Sequence, residues 1–165
     1  MTTIERSQTP PDIAAERAAI QAEAAGTTLL TAYADTATAN PEAEAHRWQD
    51  AEGTWHSRTY RQVREQVRDL ALGLSARGFQ PGEFAVIWSG NRSAATVADY
   101  AVMHARGVPV FIYNTVTPEQ AAYIAGHCEA TVAIVERQYL PKLREAAKSL
   151  PKLREIILID GAEDG

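Results

Sequence analysis

The stretch NRSAATVADYAVMHARGVPVFIYNTVTPEQAAYIAGHCEATVAIV, residues 91–135, decides the fold of this chain. It contains two short apolar runs, VPVFI at 108–112 and ATVAIV at 130–135. Segments at 92–106 and 117–128 carry apolar residues at helical spacing. Near-continuous apolar runs are typical of strands covered on both faces. A helical segment between two such strands favours a parallel crossover.

The helix predicted at 117–128 has a readable beginning. Thr117 is a preferred N-cap residue, Pro118 stands at the first helical position, and Gln120 completes a capping box. The segment at 92–106 is apolar almost all round. That pattern indicates a core helix buried between layers.

Two further apolar runs flank this stretch, FAVIW at 84–88 and EIILID at 155–160. A third helical segment, at roughly 138–149, precedes the second run. The order is therefore βαβαβαβ. We predict an α/β fold with an open, mostly parallel sheet and covering helices.

A helix and a small antiparallel hairpin are predicted before the sheet. The helix runs from Thr27 to Ala39, and the hairpin strands are 43–49 and 54–58. Thr59 then caps a long amphipathic helix that ends at Gly78. We expect residues 1–26 to form an extension, helical or disordered, and residues 27–165 to form one domain.

Charge, cysteine count and the length of the apolar runs limit the partners and the location expected for this protein. The formal net charge is −5, with 16 basic residues interspersed among 21 acidic ones, so nucleic acid is not expected as a partner. The single cysteine, Cys128, has no partner for an internal disulfide, which favours a reducing, cytoplasmic setting. No apolar run approaches the roughly 20 residues that span a bilayer, so any membrane association would be peripheral.

Three loops follow the predicted strands at the edge where open parallel sheets bind ligands, namely residues 89–93, residues 113–117 and Glu136-Arg137. Asn91 or Ser93 is expected to cap the next helix, leaving the Arg92 guanidinium to meet an anion. Tyr113 and Thr115 follow the next strand and are candidates to line a pocket. The candidate substrate-crevice residues are thus Asn91, Arg92, Tyr113 and Thr115. The alternative is that they only cap helices and pack.

The remaining reactive side chains form no recognisable site. His46, His56, His104 and His127 lack metal-ligand spacing. Cys128 stands at a helix carboxyl end, where the helix dipole disfavours a thiolate, so we expect a buried thiol. We assign no catalytic residue and no metal ligand.

In combination, several motifs resemble the amino-terminal part of the adenylate-forming (AMP-binding) superfamily, and within it the long-chain fatty acid–CoA ligases. They are TYRQVREQVRDLALGLSARGFQPGEFAVIWSGNR at 59–92, the Thr-Pro-Glu-Gln run at 117–120 and LPKLREIILIDG at 150–161. The resemblance covers about residues 28–161. It implies an acyl-CoA synthetase that uses ATP, usually with Mg2+, to form an acyl-adenylate from a fatty acid and then a thioester with CoA.

The signature segments of that family are not found in the chain. Gly26-Thr27-Thr28 is followed by Leu29 and Leu30, not by the family's phosphate-binding loop, and it indicates a helix start. The resemblance therefore implies an incomplete domain, an amino-terminal fragment inactive alone. ATP, Mg2+, CoA and fatty acid belong to the parent, and the remainder of the synthetase chain is the expected partner.

Two alternatives stay open. One is a stand-alone α/β module that binds a ligand or complements a truncated synthetase. The other is a fragment of a different adenylating ligase, with an aryl, amino acid or acyl-carrier-protein substrate. Ser93-Ala94-Ala95 stands where many relatives have Glu-Trp after Asn-Arg-x, which leaves long-chain specificity open.

Overall fold

The structure, a computed structural model, describes residues 12–50 and 52–161. The first eleven residues of the predicted extension lie outside the described part. The helices are α1 (Ile13–Glu23), α2 (Leu29–Ala39), α3 (Tyr60–Ala76), α4 (Ser93–His104), α5 (Pro118–His127) and α6 (Leu140–Ala147), the last preceded by a 3-10 turn at Arg137–Tyr139. The strands are β1 (Glu44–Gln49), β2 (Trp55–Thr59), β3 (Phe84–Trp88), β4 (Val108–Phe111), β5 (Val132–Val135) and β6 (Glu155–Leu158).

Four strands form one parallel sheet in the order β4-β3-β5-β6. Val86 of β3 pairs with Val110 on one side and with Ala133 on the other, so β3 is an interior strand. Strands β1 and β2 form a separate antiparallel hairpin. The predicted α/β class, with its parallel sheet and preceding helix and hairpin, is confirmed.

Helices cover both faces of the sheet. Ala85 and Ile87 of β3 point to the face packed by α3 and α4, whereas Val86 and Trp88 point to the face packed by α5 and α6. This alternation follows from the two-residue period of a strand. Each fully buried aliphatic side chain contributes roughly 1.5–3 kcal/mol to the free energy of folding. The run FAVIW therefore stabilises the packing on both faces of the sheet. The prediction that residues 92–106 form a core helix is also confirmed, because α4 buries Ala95, Val97, Ala98, Ala101 and Val102.

Helix starts follow the predicted capping residues. Thr117 accepts a hydrogen bond from the Gln120 N–H, and the Gln120 side chain accepts one from the Thr117 N–H. Thr59 forms the same reciprocal box with Gln62. Thr28 caps α2, so this helix starts two residues later than Thr27.

Several predicted boundaries move by one or two residues, as the following elements illustrate. The strand predicted at 130–135 begins only at Val132, because the Ala130 N–H closes the end of α5 on the Ala125 carbonyl at 2.9 Å. The helix predicted at 138–149 begins with the 3-10 turn and ends at Ala147.

Candidate ligand crevice at the carboxyl ends of the strands

A crevice of about 420 Å³ lies between α4 and the loops that follow β3 and β4. Its position is the one expected for ligands of an open parallel sheet. The lining residues are Ser89, Gly90, Asn91, Arg92, Ala95, Thr96, Asp99, Phe111, Ile112, Tyr113 and Asn114.

Three of the four candidate residues come together here. Asn91, Arg92 and Tyr113 line the crevice, whereas Thr115 is not among the lining residues. The Tyr113 side chain is 79% exposed, so it packs little against the sheet. Asn91 is exposed as well.

The predicted cap of α4 by Asn91 or Ser93 is wrong. Arg92 is the N-cap residue and no side chain makes a capping hydrogen bond. The Ser93 hydroxyl lies 2.6 Å from Nδ1 of His46 and accepts a hydrogen bond from Nη1 of Arg58 at 3.1 Å. Ser93 thus ties α4 to the β1–β2 hairpin, a long-range contact that outweighs its local capping preference.

Glu136, which sequence reasoning named only as part of a loop, organises the edge of the sheet next to the crevice. One carboxylate oxygen accepts hydrogen bonds from the Gly90 N–H at 2.8 Å and from the Ser89 hydroxyl at 3.2 Å. The other lies 3.2 Å from Nη1 of Arg92. Burial acts to raise the pKa of Glu136, but these donors and the Gln138 amide together lower it below its ordinary value. Glu136 is therefore an ionised carboxylate at neutral pH.

Asp160 completes the surroundings of Arg92. Its carboxylate lies 3.8 Å from Nη1 of Arg92 and accepts a hydrogen bond from the Arg137 N–H at 2.9 Å. Arg92 thus lies between two carboxylates of its own chain. The anions that the Arg92 guanidinium meets in this structure are Glu136 and Asp160.

The charge left without a counter-ion in the crevice is negative. Asp99 is half-buried on α4, and within residues 12–50 and 52–161 no hydrogen-bond or ion-pair partner reaches its carboxylate. Burial raises the pKa of Asp99 above its ordinary value. No local sequence motif indicates that Asp99 lacks an ion-pair partner. That property depends on the Arg92 side chain, which is directed to Glu136 and Asp160.

Two residue groups considered in the sequence have structural roles. The Cys128 thiol is half-buried at the end of α5, its S–H donates to the Ala125 carbonyl at 3.5 Å, and burial raises its pKa. Thr28 of Gly26-Thr27-Thr28 caps α2, which confirms that this segment starts a helix.

A larger groove of about 590 Å³ lies between α2 and α3. It is lined by Arg61, Arg64 and Arg68, but each of these guanidinium groups already has a partner. Arg61 pairs with Glu42, Arg64 donates to Thr38, and Arg68 pairs with Asp69. Carboxylates thus neutralise Arg61 and Arg68, whereas the hydroxyl partner of Arg64 leaves its charge in place, so these three guanidinium groups do not form a cluster of uncompensated cations.

The described part of the chain contains neither a grouped metal-ligand set nor a membrane-spanning helix. There, no three His, Cys, Asp or Glu side chains are grouped as a metal ion would require. None of the described helices has the length and apolar character needed to cross a bilayer.

Comparison with known proteins places this architecture in context. A family model described as AMP-binding enzyme matches residues 33–165. The chain is 33% identical over 112 residues to the long-chain-fatty-acid–CoA ligase FadD15 of Mycobacterium bovis, covering 67% of the chain and 19% of the ligase. It is 31% identical over 136 residues to the uncharacterized protein Rv1549 of Mycobacterium tuberculosis, covering 82% of the chain and 74% of that protein. The chain thus spans about a fifth of the ligase but most of Rv1549.

Solved structures share the fold. The anthranilate CoA ligase AuaEII in complex with anthranoyl-AMP superposes with a TM-score of 0.71 at 19% identity, over 78% of this chain and 24% of that one. The N-terminal domain of FACL13 from Mycobacterium tuberculosis gives a TM-score of 0.68 at 17% identity, over 78% and 33% of the two chains. At these identities the likeness concerns the fold alone.

Proposed function

This chain belongs to the AMP-binding enzyme family, and on that basis we propose that it is the amino-terminal part of an ATP-dependent fatty acid–CoA ligase. The ligase reaction has two steps. The fatty acid carboxylate attacks the α-phosphorus of ATP and releases pyrophosphate. The CoA thiol then loses its proton and attacks the acyl carbon. The bond between that carbon and the phosphate oxygen breaks, and AMP leaves with its electron pair. A long-chain acid is proposed because curated relatives from Mycobacterium bovis and Xenopus laevis are named long-chain-fatty-acid–CoA ligases.

Within the assembled enzyme we assign this chain a structural role. Binding a triphosphate requires free cations or unobstructed backbone N–H groups. In the crevice, Arg92 faces Glu136 and Asp160, and the Gly90 N–H donates to Glu136. Asp99 adds an unneutralised negative charge there. These residues do not fit ATP phosphates or their Mg2+, so no chemical step is assigned to them.

The observation that carries this proposal is the family match over residues 33–165, combined with alignment to only 19% of a named ligase. A chimera tests it. The segment of this chain that aligns with the Mycobacterium bovis ligase replaces the corresponding segment of that ligase. We expect the chimera to form acyl-CoA and AMP from ATP, CoA and a long-chain fatty acid, and the isolated chain to form neither.

Two controls define failure of the chimera test. The ligase with the aligned segment deleted is expected to be inactive, which shows that the segment is needed. A chimera that folds, binds ATP and yet gives no acyl-CoA contradicts the proposal, as does turnover by the isolated chain. Aromatic and amino acid substrates in the same assay test the alternative of another adenylating ligase.

A second candidate is a separate chain that complements a truncated synthetase. It is favoured by Rv1549, a relative of comparable length, of which this chain covers 74%. Co-expression with the deleted ligase tests it: co-purification and recovered acyl-CoA formation support complementation, whereas activity only in the covalent chimera argues against it. For either arrangement we propose the cytoplasm, on the basis of the single Cys128. Cell fractionation tests this location and any peripheral membrane association.

A further inference from the structure

Among the described residues, 12–50 and 52–161, no cation forms an ion pair with the Asp99 carboxylate in the crevice. Asp99 projects from the middle of α4, and the basic residue among the lining residues, Arg92, is directed to Glu136 and Asp160. A half-buried carboxylate keeps part of its hydration, and a cation or hydrogen-bond donor compensates for the part that is lost. The pKa of Asp99 is raised above its ordinary value because burial removes part of that hydration.

Two aromatic side chains line the same crevice. Phe111, the last residue of β4, is 51% exposed, and Tyr113, in the loop that follows, is 79% exposed. Strand β4 lies at an edge of the parallel sheet, where Val108 is also 41% exposed. Strands of parallel sheets are normally covered on both faces. This edge therefore presents apolar and aromatic surface suited to contact with protein.

A carboxylate beside aromatic rings matches the chemistry of a guanidinium group. The guanidinium donates paired hydrogen bonds to a carboxylate, and its planar face stacks on aromatic rings. It is also more weakly hydrated than an ammonium, so it suits a half-buried position. An anionic ligand would instead be repelled by Asp99.

We propose that the Asp99 crevice, defined by Asp99, Phe111 and Tyr113, receives an arginine side chain from the part of the AMP-binding enzyme that lies outside this chain. The inference rests on the proposed function. Three observations select this occupant: the unneutralised negative charge, the exposed aromatic edge, and the alignment with only 19% of a ligase whose remaining surface is available to cover that edge. The crevice is thus a docking site between portions of the ligase.

The first experiment compares Asp99→Asn with Asp35→Asn, an exposed aspartate on α2 that loses the same charge. In the isolated chain, Asp99→Asn is expected to leave the melting temperature unchanged or to raise it, because an uncompensated charge is removed. In the ligase chimera the same substitution is expected to lower the melting temperature. Asp35→Asn is expected to leave the melting temperatures of both the isolated chain and the chimera unchanged. Destabilisation of the isolated chain by Asp99→Asn, or no destabilisation of the chimera, overturns the proposal.

The second experiment needs only the isolated full chain. N-acetyl-arginine methylamide and its neutral isostere, N-acetyl-citrulline methylamide, are titrated while the resonances of Asp99, Phe111 and Tyr113 are followed by NMR. We expect an association constant about fivefold larger for the arginine probe, a preference lost in Asp99→Asn and kept in Asp35→Asn. Equal responses to both probes, or none, overturn the proposal.

The two experiments separate this inference from the proposed function. An active chimera together with a negative NMR titration and no melting difference refutes the arginine site alone. An inactive chimera with a selective NMR response refutes the ligase role and keeps the guanidinium site.

Discussion

The Gly90 backbone N–H donates a hydrogen bond to the Glu136 carboxylate at 2.8 Å. Gly90 lies in the loop after β3, and Glu136 lies in the loop after the neighbouring strand β5. The helices that follow these strands, α4 and α6, cover opposite faces of the sheet. Open α/β sheets bind ligands at such a switch point. Here the Glu136 carboxylate accepts the hydrogen bond from the Gly90 N–H that a bound anion would otherwise accept.

Replacing Glu136 is expected to destabilise the chain. Glu136→Ala leaves the Gly90 N–H without its acceptor, removes one of the two acceptors of the Ser89 hydroxyl, and removes one of the carboxylates beside Arg92. We expect a loss of about 1–3 kcal/mol in the free energy of unfolding, measured by urea denaturation. Glu52→Ala, at an exposed turn position, is the control and should change it by less than about 0.5 kcal/mol. Equal effects of the two substitutions would contradict the assigned network.

His46 is expected to make stability depend on pH. Burial, assisted by the Arg58 charge, lowers the pKa of His46 below its ordinary value of 6.5. The unfolded chain then binds more protons, so the free energy of unfolding decreases as pH falls from 6.5 toward the folded-state pKa. Urea denaturation at about pH 7.5 and about pH 5.5 measures this slope.

The variant His46→Asn should flatten that slope, because it removes the titrating group. His127→Gln changes an exposed histidine at the end of α5 and serves as the matched control. If His46→Asn kept the full wild-type slope, protonation elsewhere would be responsible.

Gly107 is required by close packing. A Cβ atom placed there would overlap the Phe79 ring and lie 2.9 Å from the Glu83 carbonyl oxygen. Phe79 is 3% exposed and the carbonyl belongs to the backbone, so neither has room to move. Gly107→Ala is expected to cost roughly 1–3 kcal/mol in the free energy of unfolding.

The matched substitution, Gly73→Ala, should have the opposite sign. Gly73 lies within α3, and apart from its chain neighbours and the adjacent helix backbone, no atom of the described residues lies within 4 Å of the position that a Cβ would take. Alanine in a helix interior is favoured over glycine by about 1 kcal/mol. Thermal and urea unfolding of the two variants checks this difference, and destabilisation by both would refute the packing explanation.

Arg154 and Glu83 form a two-pronged ion pair, with distances of 2.8 Å and 2.7 Å. The hydrogen bond from Arg154 is the main cause that holds the pKa of Glu83 below its ordinary value of 4.5. The pair therefore stabilises the fold above pH 4.5, and this contribution is lost as pH falls through the folded-state pKa of Glu83.

Arg154→Lys should raise the pKa of Glu83 toward its ordinary value, because an ammonium cannot match both oxygens. NMR titration of Glu83 measures the change. The loss of stability should stay below about 1 kcal/mol, since the pair is partly exposed to solvent. Arg68→Lys, at a different ion pair, should leave the Glu83 titration unchanged.

Features that depend on neighbouring residues in sequence were predictable. The Thr117–Gln120 capping box and the strand FAVIW appear at the positions their residues indicate. Period, cap chemistry and turn residues act within a few positions, so the sequence pattern carries them. Their combination also carried the family resemblance, which the match over residues 33–165 confirms.

The site depended on contacts between distant segments, and these were not predictable. Ser93 has the chemistry of a cap, but His46 and Arg58, 47 and 35 positions away, engage its hydroxyl. Arg92 suggested an anion partner, and only the register of β5 and β6 brings Glu136 and Asp160 beside it. Local patterns contain no information on such pairings.

The strand order has a consequence for the time course of synthesis. Strand β3 is made first and pairs with β4, but its other neighbour, β5, lies about twenty residues further along the chain. At roughly 5–20 residues per second, about 1–4 s pass between the synthesis of β4 and that of β5, and the second edge of β3 stays unpaired throughout. During that interval β3, a strand of five apolar residues, is open on one side. Nascent chains paused after β4 has left the ribosome and before β5 has done so should therefore be the ones that recruit chaperones most strongly.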